Sequence, residues 1–215
     1  MATTVPLIEI ENVYNVYDEI AEEFNDTRYC VWNFVKDFLK DKKEIYGIDI
    51  GCGNGKNMIH DKMIGVDMCE KMLKFAAAKG KDVAKFCCCD LPFMDNSIDY
   101  AMMISVVHHL GTHERRLTAV QEMIRIVKPG GECMFNVWSV EEQDRRVFLP
   151  GDNMVTWKSK PTKDKKVGQN VYDRFYHIYT REMIESFIQE IHGVYDIRLK
   201  NERGNWVVVM KKNVI

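Results

Sequence analysis

Two stretches of this chain gather residues that can do chemistry. In IDIGCGNGKN (48–57), an apolar run ends at Asp49 and opens onto Gly51, Gly53 and Gly55. Glycines there let the backbone approach a ligand with no Cβ in the way. In ISVVHHLGTHERR (104–116), an apolar run ends at His108 and His109, with His113, Arg115 and Arg116 close behind. Three chemistries are open to the second stretch: metal ligation, a general base with its helper, or a cationic cradle for an anion. Metal ligation fits poorly, because neighbouring histidines on a strand point their rings apart and no C-x-x-C lies nearby. A general base is required only for an acceptor that must lose a proton, such as a hydroxyl, phenol or carbon acid. A plainer alternative packs one histidine in the core and leaves the arginines as a solvated helical turn. Successive helical residues diverge by about 100°, so at most one of Arg115 and Arg116 faces a shared pocket; Arg116 is the choice.

The elements around these stretches alternate. EIYGIDI, MIGVD, AKFCC, SIDYAMMIS and CMFNVW read as strands, and CEKMLKFAAAKG and THERRLTAVQEMIRIV as helices. The second helix has Leu117, Val120, Ile124 and Val127 on its inner face, Thr112 as N-cap and KPGG as its stop. Before them, residues 12–24 put Val13, Val16, Tyr17, Ile20, Ala21 and Phe24 on one helical face, and a helix near 30–40 follows. After them come a polar stretch at 142–170 read as a long loop, a helix near 181–191, and strands near 194–200 and 205–212 that form a hairpin. The expected fold is α/β, a mostly parallel twisted sheet with helices on both faces and a C-terminal antiparallel hairpin. One domain spans 1–215, with a helical cap at 1–43. The glycine loop is expected to open a helix. The next strand ends at Asp67, 18 residues after Asp49, where an acid can accept hydrogen bonds from ribose hydroxyls. An adenosine-bearing cofactor follows.

The order D-x-G-C-G-x-G, with LPFMDNSIDYAMMISVVHHL and RIVKPGGECMF, resembles class I S-adenosylmethionine methyltransferases and covers about 48–135. The resemblance implies that Arg28, Asp49, Gly51, Cys52, Gly53, Gly55, Asp67, Met68, Cys88, Asp90 and Ser105 surround the cofactor. Asp49 and the glycines would hold its amino-acid end and Asp67 its ribose. The family's adenine-binding acid aligns with Cys87, with Asp90 as a substitute if the loop is shortened. VYDEIAEEFNDTRYCVWNFVKDFL, NVWS, DNMVTWK, RFYHIYTREMIESF and NERGNWVVV are similar to the eukaryotic tRNA wobble-uridine methyltransferases, from about Val13 to Lys211. That family converts 5-carboxymethyluridine to its methyl ester. Such an acceptor has a pKa of about 4 and is ionised at neutral pH, so no general base is needed. Acceptor positioning would fall to His109, Arg116, Trp138, Tyr176 and His177. A quinone-biosynthesis-like small-molecule methyltransferase and a non-catalytic cofactor-binding scaffold remain as alternatives.

A net charge of −2 excludes whole-molecule attraction to nucleic acid, so contact with a tRNA anticodon loop must use local patches. The lysine-rich KSKPTKDKK (158–166) is one candidate. Seven cysteines without secreted-scaffold spacing, no apolar run of membrane length and no secretion pattern at the start suggest the cytoplasm, or the nucleus. KFCCC (85–89) is expected at the sheet edge, where its uncharged half invites a partner chain. The resemblance makes that partner a small zinc-binding activator subunit. Three adjacent cysteines are not expected to converge on one ion.

Overall fold

A computed structural model describes residues 4–142, 147–159 and 170–214. Its helices are α1 (Leu7–Glu9), a π-helical segment Ile10–Tyr14, α2 (Asn15–Thr27), α3 (Asn33–Leu39), α4 (Glu70–Ala78), α5 (His113–Ile126) and α6 (Arg181–Gln189). Its strands are β1 (Gly47–Ile50), β2 (Met63–Asp67), β3 (Asp82–Lys85), β4 (Ile98–Ile104), β5 (Val127–Trp138), β6 (Gly151–Lys158), β7 (Val171–Ile178), β8 (Val194–Asn201) and β9 (Asn205–Lys212).

Seven strands form one sheet in the order β3-β2-β1-β4-β5-β9-β8. β1 to β5 are parallel, while β9 runs antiparallel between β5 and β8. Side chains alternate between faces along a strand, and β4 shows how both faces are buried. Tyr100, Met102 and Ile104 pack with Phe34, Val35, Phe38 and Leu39 of α3. Ala101 and Met103 pack with Ala119, Val120, Met123 and Ile124 of α5 and Ile184 and Phe187 of α6. Thr112 caps α5, its hydroxyl accepting from Arg115 N at 3.3 Å. The expected fold is therefore the one observed.

Three local expectations are corrected. The glycine loop opens no helix: residues 51–62 form a chain of turns, because positive φ at Gly51, Gly53 and Gly55 is incompatible with right-handed helix. The third strand stops at Lys85, so Cys87, Cys88 and Cys89 lie in the turn beyond it. Finally, 142–170 is not all loop. β6 pairs in register with β7, from Gly151 with Ile178 to Lys158 with Val171, as a separate two-stranded ribbon. Lys160 to Gln169, most of the lysine-rich run, lies outside the described residues.

Candidate active site

The carboxyl ends of β1, β2 and β4 converge below α2, and a cavity of about 680 Å³ opens there. At one end it is lined by Gly51, Cys52, Gly53, Lys56, Asp67, Met68, Cys88 and Ser105. At the other it is lined by Tyr17, Arg28, His108, His109, Trp138 and Tyr176. The first set comes from the sheet and its loops. The second brings together the N-terminal helix, the turn after β4, the end of β5 and the ribbon.

The glycine end combines closely approaching backbone with the carboxylates of Asp49 and Asp67. Gly51 (φ +76°) passes so close to Val106 that a Cβ would lie 2.1 Å from its Cγ2. Asp67 shapes the loop: Oδ2 accepts from Gly53 N and Oδ1 from Cys69 N, both at 2.8 Å. Burial raises its pKa, and these N–H groups oppose that. Asp49 is fully buried, and neither carboxylate oxygen has a hydrogen-bond partner. Burial, then the nearby Asp67 charge, pushes its pKa up to about 7. Asp49 does not itself line the cavity; it lies beneath the glycine loop, two residues before Gly51, whereas Asp67 stands at the wall, where the Gly53–Asp67 pair fits a ribose.

Asp49 carries a pH prediction. A carboxyl with a raised folded pKa holds a proton that the unfolded chain has already released, so its contribution is lost as pH rises from about 4 through about 7. Urea unfolding at pH 4.5 and pH 8 should show wild type losing a few kcal/mol relative to Asp49→Asn. A constant difference would mean that the carboxyl is ionised throughout.

At the aromatic end the hydrogens can be assigned. His109 Nδ1 lies 2.8 Å from Phe175 O, a pure acceptor, so Nδ1 carries the hydrogen. Its Nε2 then accepts from Tyr17 Oη at 3.0 Å. His108 Nδ1 accepts from Trp138 N at 3.1 Å, which leaves its hydrogen on Nε2, without a partner. Burial, aided by Arg174, holds His109 down to about 3 and His108 well below the histidine range. Both are neutral near pH 7, and neither keeps a free lone pair. Their rings do not diverge, because they sit on a 3₁₀ turn, Val107–His109, with centroids 4.7 Å apart. Trp138 stacks on Tyr176 at 4.3 Å and lies 5.6 Å from Phe148.

Several expected site residues lie elsewhere. Arg116 does not line the cavity; its Nη1 donates to Leu110 O at 2.8 Å. Arg115 instead forms a buried bidentate pair with Glu9. His177 follows Tyr176 on β7 and so faces the opposite way, with Nδ1 2.6 Å from Asp152 Oδ1. Gly55 packs on Ala76 and Lys81, and the exposed Asp90 is not at the wall. The sulfurs of Cys87, Cys88 and Cys89 do converge, within 4.8 Å of one another, because a turn brings together what a strand would separate. The Arg115 guanidinium stands beside them, 3.8 Å from Cys87 Sγ.

Sequence reasoning missed Tyr17 as a site residue, having placed it only on the inner face of its helix. It also missed Arg174, two residues before Tyr176 and on the same face of β7. That face was readable from the alternation of RFYHIY. NERGNW, singled out only as a pattern, gains a role: Asn205 Oδ1 accepts from Asn136 at 2.9 Å, and Asn136 Oδ1 accepts from Ser105 N at 2.8 Å. This buried amide chain ties the hairpin turn to Ser105, whose φ is +61°.

Residues 48–135 match the family model described as "Methyltransferase domain". The tRNA (carboxymethyluridine(34)-5-O)-methyltransferase of Schizosaccharomyces pombe is 36% identical, over 96% of this chain and 99% of its own length. The Xenopus tropicalis tRNA (carboxymethyluridine(34)-5-O)-methyltransferase alkbh8 is 28% identical over 95% of this chain, which spans only 41% of that larger protein. Among solved structures, a Haloferax volcanii methyltransferase in complex with the Trm112 methyltransferase activator superposes with a TM-score of 0.61 at 14% identity, covering 94% of this chain and 99% of that one. With a relative 36% identical along nearly its whole length, the chain belongs to the tRNA (carboxymethyluridine(34)-5-O)-methyltransferase family, whose methyl donor is S-adenosylmethionine.

Proposed function

We propose that this protein methylates the side-chain carboxylate of 5-carboxymethyluridine at the tRNA wobble position. The observation that carries this reading is the hydrogen-bond pattern around His108 and His109. Each imidazole has its lone pair already engaged, so neither histidine is free to act as a base. Such a site suits an acceptor that is already an anion.

When bound, S-adenosylmethionine would supply a methyl group on a positively charged sulfur, the bond to sulfur breaking as that to the acceptor oxygen forms. The chain's residues supply position and environment. Asp67 and the glycine backbone at the wall would hold the ribose and amino-acid parts of the donor, with the buried Asp49 behind the loop. Phe86, Met68 and Cys88 line the cavity and would give the adenine apolar walls. His108 Nε2–H and the Tyr176 hydroxyl are the donors beside the acceptor. The wall of Trp138, Tyr176 and the two histidines excludes water. Arg28 and the exposed Tyr29 stand at the cavity wall and suit the anticodon backbone and a splayed base.

The activator docking along β3 is part of this proposal. β3 is the outer strand of the sheet, followed by the exposed Phe86. The uncharged-edge reasoning does not support it, since β3 is Asp82-Val83-Ala84-Lys85. A cytoplasmic or nuclear location fits seven unpaired thiols.

Nucleoside mass analysis after incubation with S-adenosylmethionine tests the function. The carboxymethyluridine of a tRNA should gain one methyl, and the same tRNA with plain uridine should gain none. Methylation of a small quinol with no change in tRNA would overturn the reading.

A further inference from the structure

The assigned chemistry leaves Arg174 unused, although it is only 3% exposed. A guanidinium taken out of water normally keeps a carboxylate, because an unpaired buried charge is strongly unfavourable. Arg115 does so here, through Glu9. Arg174 has no carboxylate partner among the described residues. Its carbon lies 5.2 Å from the Trp157 ring centre and 5.4 Å from that of Tyr176. Its Nε has no acceptor, and the group interacts with the hydroxyls of Tyr17 and Tyr176. Arg28, at the cavity wall, is a second guanidinium with no acid among the described residues; it rests on Phe24 at 4.5 Å. The aromatic end therefore holds positive charge without a counter-charge of its own.

The hydroxyl hydrogens give that charge a task. Tyr17 donates to His109 Nε2, so its oxygen can only accept from Tyr176, 3.3 Å away. Arg174, beside both oxygens, can donate to Tyr17 in place of Tyr176. The Tyr176 hydrogen is then free for a ligand in the cavity that Tyr176 lines.

We infer that Arg174 is the residue that makes the site select an anionic acceptor, holding the Tyr17–Tyr176 pair so that Tyr176 O–H meets a carboxylate oxygen and supplying the counter-charge. The inference rests on the methyl-transfer reading and adds to it the discrimination of the acid from its neutral amide. Arg174 does not line the cavity, so it is a positioning residue.

The test compares anticodon stem-loops carrying 5-carboxymethyluridine or its isosteric amide, 5-carbamoylmethyluridine, bound in the presence of S-adenosylhomocysteine. Wild type should prefer the acid by roughly 10- to 100-fold, the worth of a charged hydrogen bond. Arg174→Met should bring that ratio close to one with S-adenosylhomocysteine affinity unchanged, and Arg174→Lys should restore part of it. Tyr176→Phe, which keeps Arg174, should also reduce the ratio, and this arm stands if the methionine variant does not fold. A wild-type ratio in Arg174→Met or in Tyr176→Phe would overturn the inference while leaving the function intact. A wild type that neither prefers nor methylates the acid would overturn the function, and the inference with it.

Discussion

Glu9→Ala should destabilise the protein by about 3–5 kcal/mol, the cost of stripping one partner from a buried ion pair. Glu9 is fully buried and Arg115 is 2% exposed. Oε1 accepts from Arg115 Nε at 2.7 Å and Gly111 N at 2.8 Å, while Oε2 accepts from Arg115 Nη2 at 2.9 Å and Tyr14 Oη at 3.2 Å. The alanine variant leaves the Arg115 guanidinium buried without that carboxylate and Gly111 N–H without its acceptor. The pair also pins the start of the N-terminal helix to the turn between β4 and α5, so the placement of Tyr17 over His109 depends on it. Urea unfolding should show the loss. Methyl transfer by the folded fraction should fall as well, through a raised KM for tRNA. Glu9→Ala/Arg115→Met, which removes both charges, should recover part of the stability. A loss below about 1 kcal/mol would place the pair in the class of exposed bridges.

Asp67→Ala should cost about 100-fold or more in S-adenosylmethionine affinity by calorimetry. Its two oxygens fix Gly53 N and Cys69 N, and the side chain stands at the cavity wall. Hydrogen bonds to a charged group contribute about 1.5–3 kcal/mol each, and the substitution removes the loop's anchor together with the proposed ribose acceptor. Asp67→Asn keeps one carbonyl oxygen and should lose less. Equal affinity in wild type and Asp67→Ala would place the donor elsewhere in the cavity.

The parts of this site that were legible in the sequence are those fixed by local pattern. Alternating apolar runs gave the parallel strands, and Thr112 before a 3.6-residue apolar stripe gave α5. Gly51, Gly53 and Asp67 were readable because backbone approach to a ligand restricts which residues can stand there. The remainder depends on contacts between residues distant along the chain. Glu9 looks like any helical surface acid until it meets Arg115, and Tyr17 like any inner-face aromatic until His109 and Tyr176 close around it. Arg174 reads as a polar strand residue until its lack of a carboxylate partner becomes visible. In the turn after β4, Val107–His109 tightens into a 3₁₀ conformation, which is why reading both histidines from a strand failed. Around that turn the histidines are neutral donors and acceptors, and the positive charge nearby belongs to Arg174 and Arg28.

The central claim is that the acceptor is an anion needing no base. Its most direct test is the chemical lability of the product formed from methyl-labelled S-adenosylmethionine and tRNA bearing carboxymethyluridine. Mild alkali should release the label from the tRNA, as it does from a methyl ester. Label on the tRNA that survives alkali would mean a nitrogen, carbon or ether oxygen acceptor and would contradict the claim.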